Sequence, residues 1–202
     1  MTVAAQPYRV MALTPAQFRA RVDELLGVYV AAMGYPAYTH GQRRPLWLDH
    51  SNRVGFHGVV ALDKQGSVLG MCFGYTGAAD QWWHGEVRRG LTDTLVREWF
   101  TQYRELTELH VRPDTQGAGI GEALVRAFLA PSTEDVVLLS TPEGENRAWR
   151  LYRRLGFVDV LRRYQFAGDP RPFAILGRAL PLPADRGLSA DDAGGGAAVG
   201  GT

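Results

Sequence analysis

A glycine-rich segment in the middle of the chain, residues 109–121, has the residue types and spacing of an anion-binding loop. It joins an apolar, β-prone run to a segment with helical periodicity, and glycines occupy three alternate positions, Gly117, Gly119 and Gly121. Without side chains, the N–H groups of such a turn can converge on an anion, which the helix dipole also attracts. The segment therefore predicts a diphosphate site, with a ligand-free glycine-rich turn as the alternative.

The spacing of these glycines differs from that of two common nucleotide sites. No Gly-Lys-Ser/Thr follows, so the segment is not a Walker loop, and its register is not that of the dinucleotide-binding pattern. It resembles the pyrophosphate loop of the GNAT superfamily of acyl-CoA-dependent N-acyltransferases, Arg/Gln-x-x-Gly-x-Gly/Ala after a strand ending in Val-x-Pro. Gln116, Gly119 and Gly121 fit that pattern, and Val111 and Pro113 stand upstream as the pattern requires.

A second motif occurs one predicted helix and one predicted strand downstream. Residues 146–157 read NRAWRLYRRLGF. This run resembles the Asn-x-x-Ala/Ala-x-x-Leu-Tyr-x-x-x-Gly-Phe signature on the fourth helix of the same family. The order of predicted elements over residues 8–180 also fits, so the resemblance covers nearly the whole chain outside the C-terminal tail.

The resemblance implies an α/β (α+β) fold with a central mixed, mostly antiparallel sheet flanked by helices. Two parallel central strands, residues 106–111 and 136–139, are expected to splay apart around coenzyme A. The implied activity is that of an N-acetyltransferase, in which a primary amine attacks the thioester of acetyl-CoA, the co-substrate, without a covalent enzyme intermediate. The expected acceptor is an amine of a small molecule or of a protein, and a homodimer is compatible with the family.

The coenzyme site implied by the resemblance follows the first of these strands and the glycine-rich loop. The backbone of residues 109–111 would pair with the pantetheine, and one of its N–H groups would polarise the thioester carbonyl. Asn146 has two open roles, a contact to the pantetheine and the cap of the following helix. The expected coenzyme-binding residues are Leu109, His110, Val111, Gln116, Gly117, Ala118, Gly119, Ile120, Gly121, Asn146 and Tyr152.

Tyr152 is the expected general acid. It corresponds to the tyrosine of the family that protonates the departing thiolate. A phenol pKa of about 10 is close enough to that of a thiol for this transfer. The alternative is a core tyrosine, because Tyr152 also lies on the apolar face of the predicted helix.

A carboxylate on the strand before the loop is the expected base. In several members of the family a carboxylate or histidine at the positions of Glu105 and Thr107 serves as base or binds the amine. Strict strand alternation places Glu105, Thr107 and Leu109 on one face, and Glu105 is the preferred base, acting through water. Glu108 and His110 then share the opposite face, where a buried structural pair is the preferred interpretation.

The connection between the third and fourth predicted strands, residues 76–104, is expected to be a long helical insertion, and it is rich in aromatic side chains. Trp82 and Trp83 are expected to line the pocket for the amine, whereas a helix near residues 93–103 is expected to pack on the sheet. The expected substrate-binding residues are Glu105, Thr107, Trp82 and Trp83.

Apolar periodicity predicts the elements that must hold these residues. Predicted strands cover residues 8–13, 59–62, 68–75, 106–111, 136–139, 158–166 and 173–180. Predicted helices cover residues 15–33, 44–52, 93–103, 117–130 and 146–155. We therefore expect one domain over residues 1–180. The segment 181–202, largely Ala, Gly and Asp at its end, is expected to be disordered because it cannot bury a core.

Composition limits the other function classes. Of 202 residues 46% are apolar, and 22 basic side chains nearly balance 21 acidic ones, which disfavours nucleic acid as a partner. Cys72 is the only cysteine, and the histidines lack ligand spacing, so neither a disulfide nor a metal site is expected. The first ten residues show no secretory signal and no apolar run approaches the ~18–20 residues of a membrane span, so we expect a cytoplasmic protein without a membrane partner.

Two other functions stay open at this level. A non-catalytic acyl-CoA-binding or sensing module would keep residues 116–121 without turnover. A protein-interaction module on the same scaffold would use the aromatic connection as its contact surface. The fold alone does not decide between them and an enzyme, because function resides in the site that the fold carries.

Overall fold

A mixed seven-stranded sheet forms the centre of the protein, as seen in a computed structural model that describes residues 7–183. Its strands are β1 (Arg9–Leu13), β2 (His57–Leu62), β3 (Val68–Thr76), β4 (Tyr103–Val111), β5 (Val136–Pro142), β6 (Val158–Tyr164) and β7 (Phe173–Ala179). The strand order is β1-β2-β3-β4-β5-β7-β6; the β4–β5 pair is parallel and the other neighbouring pairs are antiparallel. The expected fold class is therefore confirmed.

Helices cover both faces of this sheet. They are α1 (Pro15–Ala20), α2 (Val22–Met33), α3 (Tyr38–His50), α4 (Trp82–Arg89), α5 (Asp93–Trp99), α6 (Ile120–Leu129) and α7 (Arg147–Arg154). The apolar faces of α1, α2 and α3 pack on one side through Phe18, Leu26 and Trp47, and those of α6 and α7 pack on the other side through Phe128 and Leu151. No helix within residues 7–183 is long and apolar enough to cross a membrane.

The parallel strands β4 and β5 separate part-way along their length. They pair only through residues 103–105 of β4 and 136–138 of β5. Beyond that point β4 stays paired with β3 as far as Val111, and β5 stays paired with β7 as far as Pro142. The expected splayed pair is therefore present, and the carboxyl-terminal halves of both strands border an opening in the sheet.

A β-bulge in β4 lies at the start of this opening. Phe73 and Gly74 of β3 pair with residues 108 and 106 of β4, so Thr107 is left without a partner on β3. Such an extra residue interrupts the alternation of side chains between the two faces of a strand. Sequence spacing therefore does not show which face of the sheet the side chains after Thr107 occupy, whereas their contacts do.

The contacts show that the bulge regroups the side chains of β4. The Thr107 hydroxyl donates to Glu105 (3.3 Å), and His110 lies edge-on to Tyr29 of α2 with ring centroids 4.9 Å apart. Leu109 instead packs with the core beneath α6 and α7. The predicted grouping, with Leu109 beside Glu105 and His110 on the opposite face, is therefore wrong, because one extra residue reverses the side chains that follow it.

Several helices differ from their predicted bounds. The single helix predicted over residues 15–33 is divided at Arg21 into α1 and α2. Helix α3 begins at Tyr38 rather than near residue 44, and the connection of residues 76–104 contains α4 as well as α5, the helix predicted near residues 93–103. Of the segment expected to be disordered, residues 184–202 lie outside the described residues. The described end of the chain lies beside α6, where Arg126 donates to the Pro183 carbonyl oxygen (2.9 Å).

Candidate active site

A cleft of about 1480 Å³ follows the opening between β4 and β5. Every predicted site residue except Ala118 lines it. We term the part beside residues 109–121 and α7 the glycine-loop half, and the part beside Glu105, α3 and α4 the Glu105 half. The two halves are built from different kinds of groups.

The glycine-loop half is built from the segment that connects β4 to α6. After a single 3₁₀ turn at Pro113–Thr115, Gly117 and Gly119 adopt left-handed backbone conformations with φ of 93° and 80°. No side chain caps α6, and the N–H groups of residues 117–121 donate to no other described residue. These donors lie at the positive end of the helix dipole, where they suit an anion such as a diphosphate.

Two further contacts hold the loop in place. The Gln116 amide donates to the Val111 carbonyl oxygen (3.1 Å), which ties the loop to the end of β4. Gly121 lies against α7, because a Cβ at this position would come within 3.2 Å of Leu151 Cδ2. The two motifs found in the sequence therefore meet at one end of the cleft.

Helix α7 carries Tyr152 into the same half. Asn146 caps this helix, its side-chain oxygen accepting from the Trp149 N–H (2.9 Å), and it also lines the cleft. Tyr152 is buried, and its hydroxyl makes no hydrogen bond with another described residue. Burial raises the pKa of the Tyr152 phenol, so its hydroxyl is protonated at neutral pH. A protonated hydroxyl at the cleft wall can donate to a bound ligand.

Glu105 supplies a buried carboxyl group in the other half of the cleft. Its Oε1 accepts hydrogen bonds from the Tyr75 and Thr107 hydroxyls, both at 3.3 Å, while its Oε2 has no partner among the described residues. Burial raises the pKa of Glu105 to about 7, although the Arg53 guanidinium and the two hydrogen bonds offset part of the rise. The group can therefore gain or lose a proton close to neutral pH.

Glu108 and His110 form a pair next to Glu105. His110 Nε2 lies 2.6 Å from Glu108 Oε2, in agreement with the structural interpretation but on the same face as Glu105. Within residues 7–183, no group of three or more His, Cys, Asp or Glu side chains is arranged to hold a metal ion. The hydrogen bond between Glu108 and His110 holds these two side chains together in the lining of the cleft.

Comparison with known proteins identifies the family. A profile described as an acetyltransferase (GNAT) domain matches residues 54–159, about half of the chain, and this range includes the loop and the second motif. This chain belongs to the GNAT family of acetyltransferases. The resemblance carried by the two motifs is thereby confirmed.

Similar proteins support the same family. A GCN5-like protein acetyltransferase of Mycobacterium tuberculosis is 47% identical over 199 residues, covering 84% of this chain and 97% of that protein. An acetyltransferase of the GNAT family from Desulfovibrio desulfuricans has a similar structure, with a TM-score of 0.61 at 16% identity over 85% of this chain and 98% of that one. A chain of the NatC complex bound to Gag peptide and CoA matches with a TM-score of 0.56 at 14% identity, over 86% of this chain and 99% of its own. The sequence relationship identifies this GNAT protein as an acyltransferase, and the structural ones show its fold.

The aromatic connection of this GNAT protein divides into buried and exposed parts. Trp83 is buried and stacked on Phe100, and its indole N–H donates to the Ser140 hydroxyl (3.2 Å). Trp82 is 61% exposed and its ring centroid lies 5.8 Å from that of Phe166. Both tryptophans line the cleft, but Trp82 presents the larger surface to solvent and to a ligand.

Other lining residues were missed by the sequence analysis. His50, Arg53 and Tyr75 lie in the Glu105 half, and at the cleft mouth the Arg171 guanidinium donates to the Tyr35 hydroxyl (3.1 Å). This contact joins the β6–β7 connection to the α2–α3 connection. No local spacing indicates these residues, because each reaches the cleft from a different element.

Proposed function

We propose that this GNAT protein transfers the acetyl group of acetyl-CoA directly to a primary amine. The observation that carries the proposal is that three features share one cleft: the N–H groups of residues 117–121, which have no acceptor within residues 7–183, the opening between β4 and β5, and the Tyr152 hydroxyl. The Glu105 half of the same cleft would receive the amine.

The coenzyme would lie along the glycine-loop half. Beyond Glu105 the edge of β4 that faces the opening has no strand partner, so the backbone of residues 109–111 can pair with an extended pantetheine. One N–H group of that segment would polarise the thioester carbonyl. The diphosphate would be held by the N–H groups of Gly117, Ala118, Gly119, Ile120 and Gly121.

The proposed chemistry forms one carbon–nitrogen bond and breaks one carbon–sulfur bond. The neutral amine attacks the carbonyl carbon, and Glu105 takes up the proton that the amine loses. Tyr152 gives its hydroxyl proton to the departing sulfur and regains a proton from solvent. Tyr152 carries its proton at neutral pH and so has one to give, and a Glu105 pKa of about 7 means that its carboxylate form is available to accept one near neutral pH.

We rank an amine of a protein as the first acceptor class and a small-molecule amine as the second. The relative that is 47% identical is named a protein acetyltransferase, which supports a protein acceptor. The exposed ring of Trp82 at the cleft would provide a flat apolar contact for a peptide or for a small molecule.

Calorimetric titration with acetyl-CoA tests the coenzyme site. The wild type is expected to bind, and Gly119→Asp is expected to lose binding, because it adds a negative side chain at a left-handed backbone position beside the diphosphate. Gly66→Asp is the matched control, since Gly66 also has a positive φ (86°) but lies in the β2–β3 turn. A folded wild type that does not bind, or a Gly119→Asp variant that still binds, contradicts the proposal.

Thiol release then identifies the acceptor class. Wild-type protein and acetyl-CoA would be incubated separately with lysine-containing peptides and with small primary amines. Faster thiol release with peptides supports a protein acceptor, and faster release with small amines reverses the ranking. Binding of acetyl-CoA with no release for either class would favour the non-catalytic module instead.

A further inference from the structure

Two buried polar atoms in the Glu105 half have no hydrogen-bond partner among residues 7–183, His50 Nδ1 and Glu105 Oε2. His50 is 7% exposed and Glu105 is 3% exposed, and both line the cleft. Buried polar groups are normally paired with protein or water. Because both residues line the cleft, these two unpaired atoms are candidate partners for a group bound there.

Three elements bring these atoms to the same wall. His50 is the last residue of α3, and its ring centroid lies 5.3 Å from that of Tyr75 on β3. The Tyr75 hydroxyl donates to Glu105 Oε1, as does Thr107, so the hydrogen bonds within the wall use Oε1 and leave Oε2 available. Tyr75 thus contacts both residues and positions them.

The surroundings keep His50 uncharged. Burial and the nearby Arg53 guanidinium lower the pKa of His50 to about 4, so the imidazole is neutral at neutral pH and one ring nitrogen can accept a hydrogen bond. A carboxylate oxygen is likewise an acceptor. The other charged groups that act on His50 are Arg43, Asp49 and Glu108.

We propose that His50 and Glu105 bind the acceptor nitrogen together, a ring nitrogen of His50 accepting one N–H and Oε2 of Glu105 accepting another. A primary amine fits this pair, because it has two N–H groups when neutral and three as an ammonium ion. A neutral secondary amine has a single N–H and satisfies only one of the two acceptors. The inference rests on the proposed function and makes His50 the residue that selects primary amines.

Acetylation of n-butylamine, an analogue of the lysine side chain, tests the inference through thiol release, with N-methylbutylamine as the secondary-amine probe. His50→Phe is expected to lower kcat/KM for n-butylamine by about tenfold, the effect of one lost hydrogen bond. The preference of the wild type for n-butylamine over N-methylbutylamine should shrink in this variant. His50→Gln keeps a hydrogen-bond acceptor and should restore part of the activity.

Two controls separate amine binding from folding. His57→Phe replaces a half-buried histidine on β2 that is outside the cleft lining, and should leave both activities unchanged. The affinity for acetyl-CoA should be the same in all variants. The melting temperatures of His50→Phe and His50→Gln are measured as well, because the His50 ring is buried against Phe73 and Tyr75 and a larger ring can overpack that site. Kinetic constants are then compared at a temperature at which every variant is folded.

The possible results separate this inference from the proposed function. If the wild type does not bind acetyl-CoA, the proposed function is contradicted and the inference falls with it. If acetyl-CoA binds but neither peptides nor small amines are acetylated, the proposed function is again contradicted and the inference falls with it. If peptides or small amines are acetylated, three results overturn the inference alone: no turnover of n-butylamine, a His50→Phe variant within about twofold of the wild type, or equal losses in the Phe and Gln variants.

Discussion

The two halves of the cleft are built in different ways. The glycine-loop half uses main-chain groups from one continuous segment, residues 109–121, together with α7. The Glu105 half uses side chains from separate elements, among them His50 of α3, Tyr75 of β3 and Trp82 of α4. A main-chain site depends on local backbone conformation, whereas a side-chain site depends on how distant elements pack.

This difference predicts that the two halves respond separately to substitution. The glycine-loop half should govern coenzyme binding and thiol departure, which are common to every acceptor. The Glu105 half should govern recognition and deprotonation of the amine. Three substitutions test this separation: Tyr152→Phe, Glu105→Gln and Trp82→Ala.

Tyr152→Phe should reduce kcat about 10²- to 10³-fold and leave acetyl-CoA affinity unchanged, because it removes the proposed proton donor while the aromatic ring stays in the core. Single-turnover thiol release and calorimetry measure the two quantities. Tyr164→Phe is the matched control, since the Tyr164 hydroxyl donates to the Glu86 carbonyl oxygen (2.7 Å) and Tyr164 is not part of the cleft lining. Unchanged turnover in Tyr152→Phe would show that another group protonates the sulfur.

Glu105→Gln should lower kcat/KM for the amine about tenfold to 100-fold above pH 7 and leave acetyl-CoA affinity unchanged. In the wild type, the fraction of carboxylate at Glu105 rises as the pH passes through about 7, and amine deprotonation should become faster with it. The variant should lack this step in its pH profile. A step near pH 7 that persists in Glu105→Gln would assign the titration to another group.

The same substitution should change how stability depends on pH. The folded-state pKa of about 7 lies above the ordinary value of 4.5, so this group stabilises the folded protein below pH 4.5 and that contribution is lost as the pH rises through 7. The loss amounts to on the order of 3 kcal/mol. His50 has the opposite effect on stability, because its pKa is lowered to about 4 and its contribution therefore increases with pH. Because His50 is present in both proteins, its effect cancels when wild type and Glu105→Gln are compared at the same pH.

Urea unfolding at about pH 5 and about pH 8 measures this effect. The free energy of unfolding of Glu105→Gln relative to the wild type should rise from the lower to the higher pH. Arg53, Tyr75, Thr107 and Glu108 also act on Glu105, and they are common to both proteins. An equal difference at the two pH values would contradict the raised pKa.

Trp82→Ala should have the smallest effect, about a two- to fivefold increase in KM for the acceptor with kcat and acetyl-CoA affinity unchanged. The side chain is 61% exposed, so its loss removes a contact surface with little cost to the core. Tyr38→Ala is the control, because Tyr38 is 69% exposed and is not part of the cleft lining. Weaker acetyl-CoA binding in Trp82→Ala would show that the two halves are energetically coupled, and would contradict their separate response to substitution.

Much of the glycine-loop half could be predicted from the sequence. Glycines at residues 117 and 119 take up positive φ, and Gly121 lies within contact distance of α7, so the glycine pattern has a direct structural cause. The capping position of Asn146 likewise follows from its place before an amphipathic helix. These features are local, and neighbouring residues determine them.

Less of the Glu105 half could be predicted, for two physical reasons. The bulge at Thr107 is a register shift between strands, and strict alternation therefore assigned Leu109 to the wrong face. His50 also gave no signal, because the sequence shows a histidine near a helix end and not the Tyr75 ring that packs against it. Both depend on pairing or packing between residues far apart in the chain.

The seven strands, the loop that begins α6 and the helix that carries Tyr152 could all be predicted from the sequence, because helix starts, glycine turns and apolar periodicity depend on contiguous residues. The bulge at Thr107 and the set of side chains that meet Glu105 depend on tertiary structure, because they arise from strand pairing and from packing between distant elements. Burial then set the proton affinities of Glu105 and His50, because desolvation penalises the charged form of each group. The chemistry of the amine side therefore arises from packing, whereas the anion-binding loop arises from local backbone conformation.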